Sequence, residues 1–432
     1  MRGRLAPVAV RPFSRLLSSY TLNELGDSVG VVALSVLVYD RTHQVAATSA
    51  FFIIGKFLPA LLAPAFTARL DQVALRRSLP AIYVVEAIAF VLLALIAGGT
   101  FSLPLVLALG LIDGTLAITG RGLTRGAVGA VLEPAGLLKE GNALMNMGFA
   151  LASVGGAALA GLLVASFGLG TALLVDAGSF LAIALVLATT RGLPAASSDE
   201  EHLGWRRRLG DGLAFARSHR PVRLLLTGQA LALVMFTLVI PIEVVYAKVS
   251  LGTTDAGFGV LLATWGVGIL LGSLVYILVK QRSVTGLIIV STAALGIAYL
   301  GMAASATLLA ACLFSVLGGT GNGIQWIAVM TALQEATPRN LQARVTGLLE
   351  SLGAAMPGVG YLVGGILASI WNPRTAYWVA GAGVMVLVIL LAIGRTRLDG
   401  TRGIPSRRRR APSDVSMPEA LTGAPTYEHE HG

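Results

Sequence analysis

The sequence predicts an all-α membrane protein of about twelve transmembrane helices, arranged as two six-helix halves. Three observations point there. Of 432 residues, 55% are hydrophobic and only 12% are charged, where a soluble domain carries about 25% charge. Apolar runs long enough to cross a bilayer, about 20 residues each, recur along most of the chain. The second half also repeats the first: a shift of 204 residues sets Gly114 on Gly318, Pro134 on Pro338, Leu144 on Leu348, Gly156 on Gly360 and Gly161 on Gly365. Repeats of this kind mark transporter folds, with the site between the halves near the membrane midplane.

The first run, Ser18 to Tyr39, carries Glu24 and Asp27, three residues apart and so on one helical face. An acid at the centre of a membrane helix costs about 2.5–3.5 kcal/mol, while each valine or leucine returns about 0.3–0.6 kcal/mol. The terms nearly cancel, so this helix should face a protein interior or a wet cavity. The remaining spans fall at about 46–68, 78–98, 102–122, 142–165, 169–190, 223–246, 256–279, 284–304, 307–329, 346–370 and 375–395, after a first at 17–39. These divide the chain into an N-terminal half, 1–190, a central loop, 191–222, a C-terminal half, 223–395, and a polar tail, 396–432.

The connections alternate in basic content. One set holds Arg2, Arg4, Arg11, Arg15, Arg69, Arg76, Arg77, Arg121, Arg125, Lys139, the central-loop arginines, Lys280, Arg282, Arg339, Arg344 and the arginine-rich tail with its run Arg407–Arg410; the other holds only Arg41, Lys248 and Arg374. That asymmetry predicts both termini in the cytoplasm of a multi-pass cell-membrane protein. The N-terminus, without a cleavable apolar core, is expected to be a retained cytoplasmic arm. The same placement accounts for the net charge of +10 as a topology and lipid-surface feature rather than a nucleic-acid footprint. In the central loop, Leu209, Leu213 and Phe215 among arginines predict an amphipathic helix at the membrane surface. The tail is rich in Pro, Gly and charge and is expected to be disordered. His429 and His431 beside Glu430 suit a solvated tail better than a metal contact.

Ionisable residues inside spans are functional candidates by default. Asp27 and Lys56 lie at similar depth in adjacent antiparallel spans and form a candidate ion pair, for coupling or for helix packing. Glu24, with no second cation evident, is the easier acid to protonate and the candidate for proton coupling; a hydrogen bond to the backbone or Asn23 is its plain structural alternative. Asp113, at mid-depth in span four, could join an acidic wall suited to a cationic or polar substrate, or could contact Arg121 or Arg125. Glu86 reads as a structural contact outside the cavity, and Glu243 as a gate or an interface residue at the outer end of span seven. In the C-terminal half Gln229, Asn322, Gln325 and Trp326 are the cavity candidates. Glycine clusters such as Gly266, Gly268 and Gly272 read as close helix packing, and Pro357 as a kink in span eleven. The single Cys312 excludes a disulfide framework. No glycine-rich phosphate loop ending in lysine and serine occurs, so ATP-driven transport is not expected. No nucleophile–base grouping points to an enzyme. No cofactor and no metal is expected.

Twelve spans, a two-half repeat and a basic central loop resemble the major facilitator superfamily. NELGDSVGVVALSVLVYDRT at 23–42, LGDGLAFARSHRPVRLLL at 209–226, PAGLLKEGNALMN and TPRNLQARVTGLLE are similar to its macrolide and siderophore exporter branch of drug–proton antiporters. The resemblance covers about residues 15–395. It implies a central cavity lined by spans one, four, seven and ten, and a gating loop at Asp71, Arg76 and Arg77, where ARLDQVALRR lacks the usual glycine. It also implies an arginine in span four. None is evident there, and the nearest polar residue is Asp113. In span five, Gly156, Ala157, Ala160 and Gly161 keep a small surface without the antiporter motif's proline. The expected activity is proton-coupled efflux of small lipophilic or cationic compounds by alternating access, from a monomer whose partners are substrate, protons and membrane lipids. Metabolite uptake on the same fold, or a non-transporting scaffold or receptor, is the alternative.

Overall fold

The computed structural model describes residues 6–70, 73–193, 213–279, 281–338 and 341–400. The described residues contain twelve helices long and apolar enough to cross a membrane. They are α1 (Arg11–Thr42), α2 (Val45 to Leu70), α3 (Leu75–Gly98), α4 (Leu103–Leu132), α5 (Leu138–Phe167) and α6 (Leu169–Ala188). After the central loop come α7 (Arg220–Thr237, continued in short turns to Ser250), α8 (Asp255–Val279), α9 (Val284–Ala304), α10 (Leu308–Glu335), α11 (Gln342–Ile370) and α12 (Pro373–Gly400). The described residues up to Leu391 belong to one compact unit. Asp71, most of the central loop, and the tail basic run and histidines lie outside the described residues.

Local chemistry sets the element ends. Pro12 opens α1, where its missing N–H has no partner to lose. The helix stops at His43, which turns left-handed at φ 53° and donates its N–H to the Tyr39 carbonyl. α4 runs ten residues beyond the expected end of span four, because Arg121 and Arg125 end the apolar run in sequence while facing protein in space. α2 passes through a π-helical turn at Ile53–Phe57 that holds Lys56; such turns recur at functional positions. Pro357 lies inside α11. The internal repeat keeps its register in the helices: Leu138–Phe167, shifted by 204, corresponds to the observed Gln342–Ile370 within a residue.

Large apolar side chains cover the outer faces, Leu278 being 82% exposed. On a soluble protein such a surface would be an association patch; here it is the lipid face. Inside, α1 packs on α5 and α6, α3 on α6, and α8 and α9 on α10. α5 meets α8, and α2 meets α11. The first of these contacts is backbone on backbone: a Cβ at Gly161 would strike the Cα of Gly259. A Cβ at Gly365 of α11 would strike the Ser49 side chain of α2. Both contacts lie near the helix ends away from the basic loops, so the helices converge on that side. Reporter fusions give the sidedness: Gly432 is expected to report cytoplasmic and Arg41 external, and the reverse pattern overturns the assignment.

Candidate functional site

α1 presents Glu24 and Asp27 on one face, at 4% and 9% exposure. Their partner is Arg121 of α4. Its Nη2 donates to Asp27 Oδ2 at 3.2 Å, and its Nε lies 3.2 Å from Glu24 Oε1. Only the first contact has hydrogen-bond geometry; the second is an ion pair by distance alone. Asn23 Nδ2 also reaches Asp27 Oδ2, at 3.4 Å. Asp27 is thus held by two donors, while Glu24 accepts no hydrogen bond among the described residues. One turn along α4, Arg125 Nη2 donates to the Tyr20 hydroxyl at 3.3 Å and fastens α4 to α1.

Three expectations are corrected. The cation of Asp27 is Arg121, not Lys56, which makes no ion pair among the described residues. Glu24 does have a cation in reach, the same Arg121. And span four does carry an interior arginine. A guanidinium spans both acids because its donors fan out in a plane, whereas the ammonium of Lys56 offers a single charged point.

Two cavities border this group. One, of about 370 Å³, is lined by Glu24, Asp27, Lys56 and Arg121, by Phe52 and Phe149, and by Glu243, Phe258 and Trp265. The other, of about 720 Å³, runs between α2, α4 and α11 toward their basic-loop ends, past Lys56, Thr67, Gly122, Glu350 and Tyr361. Lys56 lines both. The cavity region therefore opens toward the basic-loop side, opposite the glycine contacts.

Asp113 lies elsewhere. It is 5% exposed, lines neither cavity, and leaves Oδ1 without a hydrogen bond among the described residues. It belongs with Glu86 and Asp176, both almost fully buried, in the packing of the first six helices. Asp176 of α6 fits against α1 because Gly26 and Gly30 have no side chain there; a Cβ at Gly26 would strike its carboxylate, and one at Gly30 would strike the Phe90 ring and crowd the carboxylate. Ser179 Oγ donates to Asp176 Oδ1 at 3.1 Å. Asp176 is not among the candidates expected from sequence, although the signal is there: an acid within the apolar run LLVDAGSF. Gln229 and Gln325 also leave the cavity: Gln325 Nε2 donates to Gln229 Oε1 at 2.6 Å, both residues being 3% exposed. Asn322 is half-buried, Trp326 is 40% exposed, and neither lines the two cavities. Of the loop residues, Arg76 Nε donates to the Ala188 carbonyl at 3.4 Å, and Arg77 is exposed.

At the far side Lys248, at the end of α7, lies 2.5 Å from Asp40 Oδ1 of α1 and 2.6 Å from Asp255 Oδ1 of α8. It ties α1 to α7 and α8 on the converged side. Lys248→Met leaves two carboxylates without their shared cation. Spin labels at the exposed Gln44 and Thr254 are then expected to report a longer distance than in the same labelled protein with Lys248 retained. An unchanged distance removes Lys248 from the closure.

Residues 2–417 match the family described as transmembrane secretion effector. No curated protein matches the chain. Among solved structures, the fold is similar to a variant of the nucleoside transporter NupG, with TM-score 0.72 and 12% identity over 88% of this chain and 99% of that one. It is also similar to a POT family transporter in complex with a thioalcohol-conjugated peptide, with TM-score 0.71 and 12% identity over 90% and 96% of the two chains. A bacterial homologue of the human lysosomal transporter Spinster, inward-facing and unoccupied, gives TM-score 0.65 and 15% identity over 90% and 96%. Identities this low carry the fold alone.

Proposed function

Because the chain belongs to the transmembrane secretion effector family of major facilitator transporters, we propose that it exports small lipophilic or cationic compounds across the cell membrane in exchange for protons. The observation that carries this is the unequal sharing of Arg121. One guanidinium serves two acids, so the Glu24–Asp27–Arg121 cluster taken by itself carries one more negative than positive charge, with Lys56, unpaired among the described residues, nearby on the cavity wall. A proton can cancel that cluster's surplus, and of the two acids that share Arg121 it is Glu24, held by charge alone, that takes it. Protonation then removes the pull of Glu24 on Arg121 and alters the α1–α4 contact beside the cavity. Asp27, Lys56 and Arg121 complete this group, and Asp113 acts on it only from the protein interior. The outward direction rests on the family's description as a secretion effector, with both termini in the cytoplasm and the monomer as the working unit.

The test is flux in proteoliposomes with an imposed pH gradient, over a panel of cationic and neutral compounds. Movement of compound against its own gradient and opposite to the protons is expected. Compound moving with the protons would mark an importer, and no flux for any compound would favour a scaffold.

A further inference from the structure

The 370 Å³ cavity holds one carboxylate that the Arg121 group does not account for. Glu243 sits where α7 breaks: the helix proper ends at Thr237, Ile240–Ile242 form a short 3-10 turn containing Pro241, and Glu243 begins the next turn. Proline cannot donate to the helix ladder, and the irregular backbone that results lies beside a cavity, where its polar groups can be tolerated. Glu243 has neither an ion pair nor a hydrogen bond among the described residues, although it lines the cavity with Phe52 and Trp265. Trp265 is held in place. It stacks on Tyr299 with ring centroids 5.6 Å apart and planes 11° apart, and it fills the space that Gly318 leaves open. Phe52 is backed by Tyr361 at 5.6 Å.

We propose that Glu243, with the aromatic faces of Trp265 and Phe52, is the recognition site for a lipophilic organic monocation. An unpaired carboxylate in a low-dielectric cavity supplies the countercharge. Aromatic faces add cation–π attraction without competing for hydrogen bonds. The charge count agrees. Glu24, Asp27 and Glu243 against Lys56 and Arg121 leave the cavity wall one negative charge in excess, which a single monocation cancels. Glu24 and Asp27 are poorer candidates for this role, because Arg121 already occupies them. The assignment rests on the transport reading but separates its two tasks, placing proton exchange at the α1–α4 group and cation recognition on α7 and α8.

The test is equilibrium binding of tetraphenylphosphonium, and of neutral triphenylphosphine oxide as a comparison, to the purified full-length protein in nanodiscs. Saturable phosphonium binding is expected for the wild type. Glu243→Gln should weaken it by about tenfold or more, as expected for loss of a desolvated charge partner, while oxide binding stays unchanged. Glu243→Asp should recover most of the loss. Trp265→Leu should weaken the phosphonium more than the oxide. The proposal is overturned by a wild type that binds no phosphonium, by Glu243→Gln binding it as tightly as wild type, or by equal losses for both probes. The outcome for coupling is read separately. If Glu24→Gln still drives uphill transport while Glu243→Gln loses phosphonium selectivity, the proton assignment falls and this site stands.

Discussion

Arg121→Leu is expected to destabilise the protein by about 3–5 kcal/mol, the cost of breaking a buried charge group by removing one partner. Glu24 and Asp27 would remain at 4% and 9% exposure with no cation bonded to them, and Asp27 would keep only its contact from Asn23. Arg121→Lys should do less damage to stability but should not restore function, since an ammonium cannot reproduce the fork between two acids. The triple variant Glu24→Gln, Asp27→Asn, Arg121→Leu separates charge balance from activity. Removing all three charges is expected to recover most of the thermal stability, as buried ion triads replaced by neutral groups often do, yet to leave the transporter uncoupled. The measurement is thermal unfolding in detergent alongside liposome flux. An Arg121→Leu protein that melts with the wild type would mean that the two acids do not depend on this arginine.

Glu24→Gln is expected to abolish proton-driven uphill transport while preserving the fold and substrate exchange in the absence of a pH gradient. Glutamine resembles the protonated acid in shape and charge but has no proton to give up. The structure makes this substitution mild for folding, because Glu24 accepts no hydrogen bond among the described residues and its contact with Arg121 is ionic only. With Glu24 neutral, Arg121 and Asp27 form a balanced pair. Asp27→Asn should behave differently. It removes the negative charge that Arg121 faces and leaves only one amide oxygen for the two donors that now share the carboxylate, so stability should fall together with transport. Purified Glu24→Gln in liposomes, assayed for uphill flux and for counterflow, decides the matter; wild-type uphill flux removes Glu24 from proton coupling.

Much of the architecture is legible in one dimension. Hydropathy locates twelve spans because a bilayer demands about 20 apolar residues wherever a helix crosses it, and most of the observed helix ends lie close to those of the spans, the largest departure being at the end of α4. That departure is informative. Arg121 and Arg125 read as the start of a basic loop, because a hydropathy window has no knowledge of which side of a helix faces protein. Once α4 is continued through them, both point at α1, to Asp27 and to Tyr20. The expected Asp27–Lys56 pair fails for the same reason, since Asp27 meets Arg121 instead. Matching depth along two helices is visible in sequence; the rotation of each helix about its axis is not.

The sequence by itself determined the number and approximate placement of the membrane-spanning helices, the alternation of basic and non-basic loops, and the presence of acids that lipid would not tolerate, since each follows from the free energy of moving side chains between water and hydrocarbon. Only the tertiary structure decided which charges meet. Glu24 and Asp27 share a cation 94 residues from Asp27 in the chain, Gln229 and Gln325 satisfy each other away from the cavity, and Glu243 faces the cavity without a partner among the described residues. Those outcomes depend on helix rotation, on the close approach that glycines such as Gly161 and Gly259 permit, and on the reach of individual side chains. Pairing energies vary steeply over a few ångströms, a scale fixed only when the helices have packed.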